Sequence, residues 1–298
     1  MKQFLKILIP DSLITIYKKL KSNKRAAQRN RLAKSGSVVL EKDILYALTA
    51  AGIKSGDSVM VHSSLSKIGY LEGGANTLIS ALQKVVEPDG NLLMPAFPAV
   101  GFNFDYLKTN PLFDVKLTPS KMGIVTEVFR NLPGVKRSLH PTDSVCVMGK
   151  DADYFVNEHF GQLTPYNEHS PFMKLVKRNG KILLIGVKLE SVTNFHTPED
   201  AILNFKYPVY HEKIFTTRLK DENGKSVNMM TKAHNPIFSK KRKCNDFEEV
   251  FLAKGIMSKF KMGMADCKLI DAAKMHNWLV DNYKNGITMY TPNGKELN

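Results

Sequence analysis

Two short runs in the chain, Val59-Met60-Val61 and Ile182-Leu183-Leu184-Ile185-Gly186-Val187, are apolar without interruption, as strands covered on both faces are. The first feeds His62-Ser63-Ser64-Leu65-Ser66, and the second leads to Ser191, Thr193, His196 and Glu199. Helical spacing of apolar residues predicts helices over 41–51, 76–86, 124–132 and 273–283. Further strands are predicted over 91–97, 144–148, 213–219, 226–230 and 267–271, with a turn at Pro88-Asp89-Gly90. Thr197-Pro198-Glu199-Asp200 reads as a helix start, with Thr at the cap and Pro at the first helical position. Residues 98–119 mix aromatics, Pro and Asn without a period and read as a long loop, the kind that often borders a site. No internal repeat is present. Strands and helices interleave, so the fold expected is α/β, with α+β as the alternative: one three-layer-like body of mixed sheet flanked by helices.

Charge changes this picture at one end. Of the formal +15, residues 1–34 carry ten Lys or Arg against the single acid Asp11, so +9 sits there and +6 on the rest. In that stretch Leu5, Leu8, Ile9, Leu13, Ile16, Tyr17 and Leu20 recur at helical intervals among lysines. Residues 1–36 are therefore read as a basic amphipathic extension and 37–298 as the main domain. The extension suits an anionic membrane face, and equally a terminal helix packed on the body or a subunit contact. Nucleic acid is not an expected partner, since the segment has only Phe4 and Tyr17 as aromatics and no recognisable binding module. The hydrophobic fraction of 43% is enough for a packed core. Cys146, Cys244 and Cys267 are scattered and odd in number, which implies neither a disulfide framework nor a zinc module. The eight histidines show no metal-ligand spacing, so no metal is expected. The opening apolar run ends at Pro10-Asp11 and is too short for a signal or a membrane span. A cytoplasmic setting follows, with the inner membrane face as a site of work.

Three segments could carry chemistry. His196 and Glu199 pair a base of near-neutral pKa with a carboxylate able to fix its tautomer. A helix starting at Thr197 would place His196 at the positive end of the helix dipole and disfavour imidazolium. Glu199 and Asp200 also suit a first helical turn with no catalytic task. The hydroxyls and backbone N–H groups of His62 to Ser66 could hold phosphate or a carbonyl oxygen, or form an ordinary Ser-rich loop. His140-Pro141-Thr142-Asp143-Ser144 could set polar groups at a strand end, or be a structural turn.

Taken together and in order, these segments resemble the aminoglycoside 3-N-acetyltransferase family. The resemblance is carried by 59–65, by Gly73-Gly74-Ala75-Asn76-Thr77-Leu78-Ile79 and by Pro88-Asp89-Gly90-Asn91-Leu92-Leu93-Met94-Pro95. It continues through Met122-Gly123, 137–145, Leu163-Thr164-Pro165-Tyr166, Ser170-Pro171 and 184–196, and is loose in the C-terminal third. Lys188 and Val192 stand where the family usually has Gly and Asn. The resemblance implies an α/β acyltransferase that takes acetyl-CoA as co-substrate and acetylates an amine on an amino sugar by direct transfer. His62, Ser63, Ser64, Leu65 and Ser66 would bind CoA with Ser120, Met122 and Gly123, while Ser191 and Thr193 would lie near the thioester. His196 would be the base and Glu199 its partner or an amine contact, with His140, Asp143, Tyr166 and Asp200 toward the acceptor. A polycationic aminoglycoside calls for an acidic site, and the body is net basic. The acceptor expected from charge is therefore a nucleotide- or lipid-linked amino sugar of surface polysaccharide assembly. The alternatives are an aminoglycoside, in an antibiotic-resistance role, and a non-catalytic scaffold at the membrane.

Overall fold

The computed structural model describes residues 38–295; the basic segment 1–34 lies outside the described residues. Among the described residues there are twelve strands: β1 (Val38–Val39), β2 (Ser58–Ser63), β3 (Tyr70–Leu71), β4 (Asn91–Pro95), β5 (Leu112–Asp114), β6 (Lys136–Arg137), β7 (Val145–Gly149), β8 (Lys181–Ile185), β9 (Phe215–Lys220), β10 (Ser226–Thr231), β11 (Met257–Met262) and β12 (Ala265–Asp271). Seven of them form the main sheet in the order β11-β12-β8-β2-β4-β7-β6. The centre, β8-β2-β4, is parallel. Antiparallel neighbours extend it on both sides, β12 and β11 on one and β7 and β6 on the other.

Side chains of the central strands alternate between two cores, which is why their sequences are apolar without a polar phase. Val59, Val61, Leu183 and Ile185 join one core with Ile44, Leu78, Leu82 and Phe129 from helices Glu41–Ala50, Ala75–Val86 and Ile124–Arg130. Met60, Leu93, Ile182 and Leu184 join the other with Phe155, Phe172, Phe251 and Met275 from helices Ala152–Val156, Pro171–Lys177, Glu248–Ala253 and Ala272–Asn282. The body is a three-layer α/β/α sandwich. The three cysteines are buried free thiols, and no helix among the described residues is long and apolar enough to cross a membrane.

Two predicted local structures differ. Residues 98–119 are not one loop: they hold helix Asn103–Lys108 and strand β5, which pairs in parallel with β9 in a three-stranded sheet β10-β9-β5. Phe113 of β5 packs with Leu219 and Met229 under that sheet. Arg137, itself buried, lies over the Phe113 ring, 4.7 Å from its centre. Thr197 is not a cap either. It is the first residue of the five-residue helix Thr197–Ala201, with His196 in the cap position, and its hydroxyl donates to the Asn194 carbonyl at 2.9 Å.

Gly186 turns the chain where β8 ends. Its φ is +64°, and a Cβ there would meet the side chain of Lys67. Gly186→Ala is expected to cost about 1–2 kcal/mol for the left-handed conformation alone, seen as a lower midpoint in urea unfolding; an unchanged midpoint would show that the turn adapts.

Candidate active site

The parallel strands β2, β4 and β8 end together, and a cleft of about 530 Å³ opens beyond their carboxyl ends, where open α/β sheets usually bind ligands. His62 and Ser63 of β2, Pro95 of β4 and Val187 just after β8 form its base. Two single-turn segments, Leu189–Ser191 and Thr193–His196, bring Ser191, Thr193 and His196 to one wall. Phe97 to Asn103, Met122 and Thr126 form the opposite side, and His234, Ser239 and Arg242 close the cleft from the C-terminal third.

The chemical centre is a cluster around Glu199. One carboxylate oxygen, Oε2, accepts from Nδ1 of His196 at 2.7 Å and from Nε2 of His234 at 2.9 Å. The other, Oε1, accepts from the hydroxyl of Tyr290. Glu199 is almost wholly enclosed. Burial alone would raise its pKa, but the two imidazoles more than offset this and hold the carboxyl below its usual range. With Nδ1 of His196 committed to Glu199, Nε2 is the nitrogen left for a substrate proton. Tyr166 stacks on the His196 ring at 4.8 Å and fixes its plane. His196 has its pKa lowered to about 3, first by burial and then by the charge of Arg242, so the ring is neutral. This replaces the helix-dipole explanation expected from the sequence: a five-residue helix contributes little beside desolvation. His196, Glu199 and His234 place one ligand atom each within 4.8 Å of one another. Their 2.7 and 2.9 Å contacts are N–H···O bonds in length, so the cluster is hydrogen-bonded as it stands.

The other sequence-selected residues divide into those on the cleft and those behind it. His62, Ser63, Met122, Asp143, Tyr166, Ser191, Thr193 and His196 line it. Ser64, Leu65 and Ser66 do not; they lead into and form the turn Leu65–Lys67, which Ser64 ties to the end of β8 through the Ile185 carbonyl. Ser120 is tied down by its N–H to Glu127 and its hydroxyl to the Met122 N–H, and Gly123, at φ +111°, caps helix Ile124–Arg130. His140 is fully buried behind Asp143, stacked on His159 at 4.5 Å, with Nδ1 accepting the Asp143 N–H. Asp200 lies off the cleft, accepting the backbone N–H of Tyr166 at 3.0 Å. Asp143 is held by Tyr166, Thr142 and Asn103, the last from the segment read as loop. His234, Tyr290, Arg242 and Asn103 were not visible in the sequence. Three of them come from the C-terminal third, far along the chain from Glu199, and no local spacing marks them.

A neutral imidazole oriented by a buried carboxylate, in a hydroxyl-lined cleft at the ends of parallel strands, defines an α/β enzyme of the base-assisted group-transfer class. Comparison with known proteins makes this specific. The family model described as aminoglycoside 3-N-acetyltransferase matches residues 60–284. An aminoglycoside N(3')-acetyltransferase-like protein of Bacillus subtilis, prophage-derived and named YokD, is 30% identical over 81% of this chain and 93% of its own length. Among solved structures, AAC-IIIb in binary complex with CoASH superimposes with a TM-score of 0.69 at 25% identity, covering 86% of this chain and 100% of that one. AAC-VIa bound to sisomicin gives 0.70 at 26%, covering 82% and 97%. The chain belongs to the aminoglycoside 3-N-acetyltransferase family, and it is an N-acetyltransferase.

Proposed function

We propose that this protein transfers the acetyl group of acetyl-CoA to a primary amine of an aminoglycoside-type amino sugar, in a single ternary complex. Acetyl-CoA is the co-substrate. The observation that carries the reading is His196, which lines the same cleft as Ser63, Ser191 and Thr193 and is held from behind by the buried Glu199. The AAC-IIIb complex with CoASH supports the donor, and the cleft has a matching unsatisfied atom, the buried Nε2 of His62. His62, Ser63, Met122, Ser191 and Thr193 would contact the donor, with Ser64, Leu65, Ser66, Ser120 and Gly123 shaping the backbone behind them. Asp143 and Tyr166 would contact the acceptor, held in place by His140 and Asp200.

In this reaction the amine nitrogen adds to the thioester carbon while Nε2 of His196 takes its proton. The C–S bond then breaks with its electron pair going to sulfur, and the proton passes from His196 to the thiolate, giving the amide and CoA. Glu199 holds the ring in the tautomer that leaves Nε2 unprotonated and stabilises the imidazolium that forms. His234 and Tyr290 occupy the rest of the carboxylate, which favours Glu199 as an orienting group over a proton acceptor.

Relatives named for aminoglycosides, with sisomicin bound to one, rank that class of acceptor above the nucleotide- or lipid-linked sugars expected from charge. The division into a basic extension, 1–36, and a transferase body, 37–298, is part of the proposal, as is peripheral membrane contact through the extension. Thiol release from acetyl-CoA, followed with sisomicin, gentamicin and a nucleotide-linked amino sugar, tests the acceptor. Turnover with the aminoglycosides at least tenfold above the nucleotide sugar is expected. The opposite order would restore the polysaccharide reading, and CoA binding without thiol release on any amine would remove the transferase reading.

A further inference from the structure

Arg130, Arg137 and Arg242 lie against the interior among the described residues, and Arg130 is satisfied by Glu127 and the Lys116 carbonyl. Arg137 spends its donors on Ser144 Oγ and the carbonyls of Ala96, Val115 and Thr118. Arg242 donates from Nη2 to Ser239 Oγ at 3.0 Å and also meets the Tyr290 hydroxyl, while its Nε is buried with no acceptor. It is the only lysine or arginine among the described residues lining the cleft. A buried N–H is ordinarily satisfied, so an unmatched guanidinium donor beside a cleft points to a group that arrives with the substrate.

Position identifies that group. Arg242 lines the same cleft as His196 and His234, and its charge weighs on His196 more than that of Glu199 does. A base must sit about 3 Å from the amine nitrogen it deprotonates. The carbon under attack and its oxygen are then one and two bonds further on, in the cleft that Arg242 also lines. We propose that Arg242 is a catalytic residue, whose guanidinium receives the negative charge that forms on the thioester oxygen as the amine adds. This rests on the acetyl-transfer reading and goes beyond it, since it assigns the oxyanion to a side chain where backbone N–H groups would be the ordinary choice.

The electron balance follows directly. The amine lone pair forms the C–N bond, and the carbonyl π pair moves onto oxygen, where Arg242 stabilises it. That pair returns as the C–S bond breaks toward sulfur. By then His196 carries the amine proton beside a second cation, and the repulsion between imidazolium and guanidinium favours release of the proton to the thiolate.

The test compares Arg242→Gln, Arg242→Met and Arg242→Lys in the full-length protein, with acetyl-CoA and whichever amine the wild type acetylates. Neutral variants are expected to lose 10²–10³-fold in kcat, with KM for both substrates changed less than about threefold and the melting midpoint retained. Lysine is expected to recover part of the loss, because it restores charge without the planar fork. A kcat within about threefold of wild type in the neutral variants overturns the proposal. So does a loss confined to the KM of donor or acceptor, which would make Arg242 a ground-state contact. If one neutral variant fails to fold, the other carries the comparison. Absence of turnover in the wild type on every amine is a separate result, which defeats the acetyl-transfer reading itself.

Discussion

Replacing His196 with alanine is expected to lower turnover by 10²–10⁴-fold while CoA still binds. The size of the effect follows from how much of the site converges on one ring. Nδ1 is bonded to Glu199 and Tyr166 stacks on the face, so alanine removes a base that is oriented from two sides, while the neighbouring His234 has its Nε2 committed to the same carboxylate. The neutral state has a further consequence for pH. With its pKa lowered to about 3, His196 is already unprotonated across the range where an ordinary histidine would titrate. No fall in kcat centred near pH 6.5 should therefore be traceable to this residue. Steady-state rates from pH 5.5 to 8.5, with thiol release as readout, check both points. Wild-type turnover in the alanine variant would remove His196 from the mechanism.

Acid should unfold the protein early. His159 is fully buried between Ser138 and the Pro165 carbonyl, and burial lowers its pKa to about 3; His196 is lowered to a similar value. Both stay neutral in the folded chain while the unfolded chain takes up protons below about pH 6.5. Stability is therefore complete above pH 6.5 and is lost progressively as pH falls toward 3. At pH 5 each of these two rings costs about 2 kcal/mol, and His140, lowered well below its ordinary value by burial, adds in the same direction. A loss of about 4 kcal/mol is a large share of the 5–15 kcal/mol that a typical domain has. Urea midpoints at pH 7.5 and pH 5.0 measure it, and His159→Gln should flatten the difference while lowering both values. Equal midpoints at the two pH values would show that these rings are not carried neutral into the folded state.

The parts of the fold that were legible in the sequence are those whose physics is local. β2, β4 and β8 are covered on both faces, so their apolar runs betray them, and helix Ala75–Val86 shows its buried stripe of Leu78, Ile79, Leu82, Val85 and Val86 directly. The missed elements depend on distant partners. β5 has three residues and is a strand because β9, a hundred residues later, pairs with it. The same division holds at the site. His196 and Glu199 lie three apart and could be read together, whereas His234 reaches the same carboxylate from 35 residues away, and Tyr290 from 91. Arg242 sits in a run of basic residues, Lys240-Lys241-Arg242-Lys243, that reads as a solvated stretch until folding turns one of its four side chains into the cleft.

At the outer margin of the main sheet, β11 has a partner on one side only among the described residues. Its two lysines, Lys259 and Lys261, are tied on the solvent side to Glu248 and Asp266. Another copy that docked strand to strand along this border would have to bring like charges together and give up those ion pairs. The opposite border, β6, is two residues long and offers almost nothing to template growth. Both borders of the main sheet thus disfavour edge-to-edge pairing of one copy with another, β11 by its charges and β6 by its length.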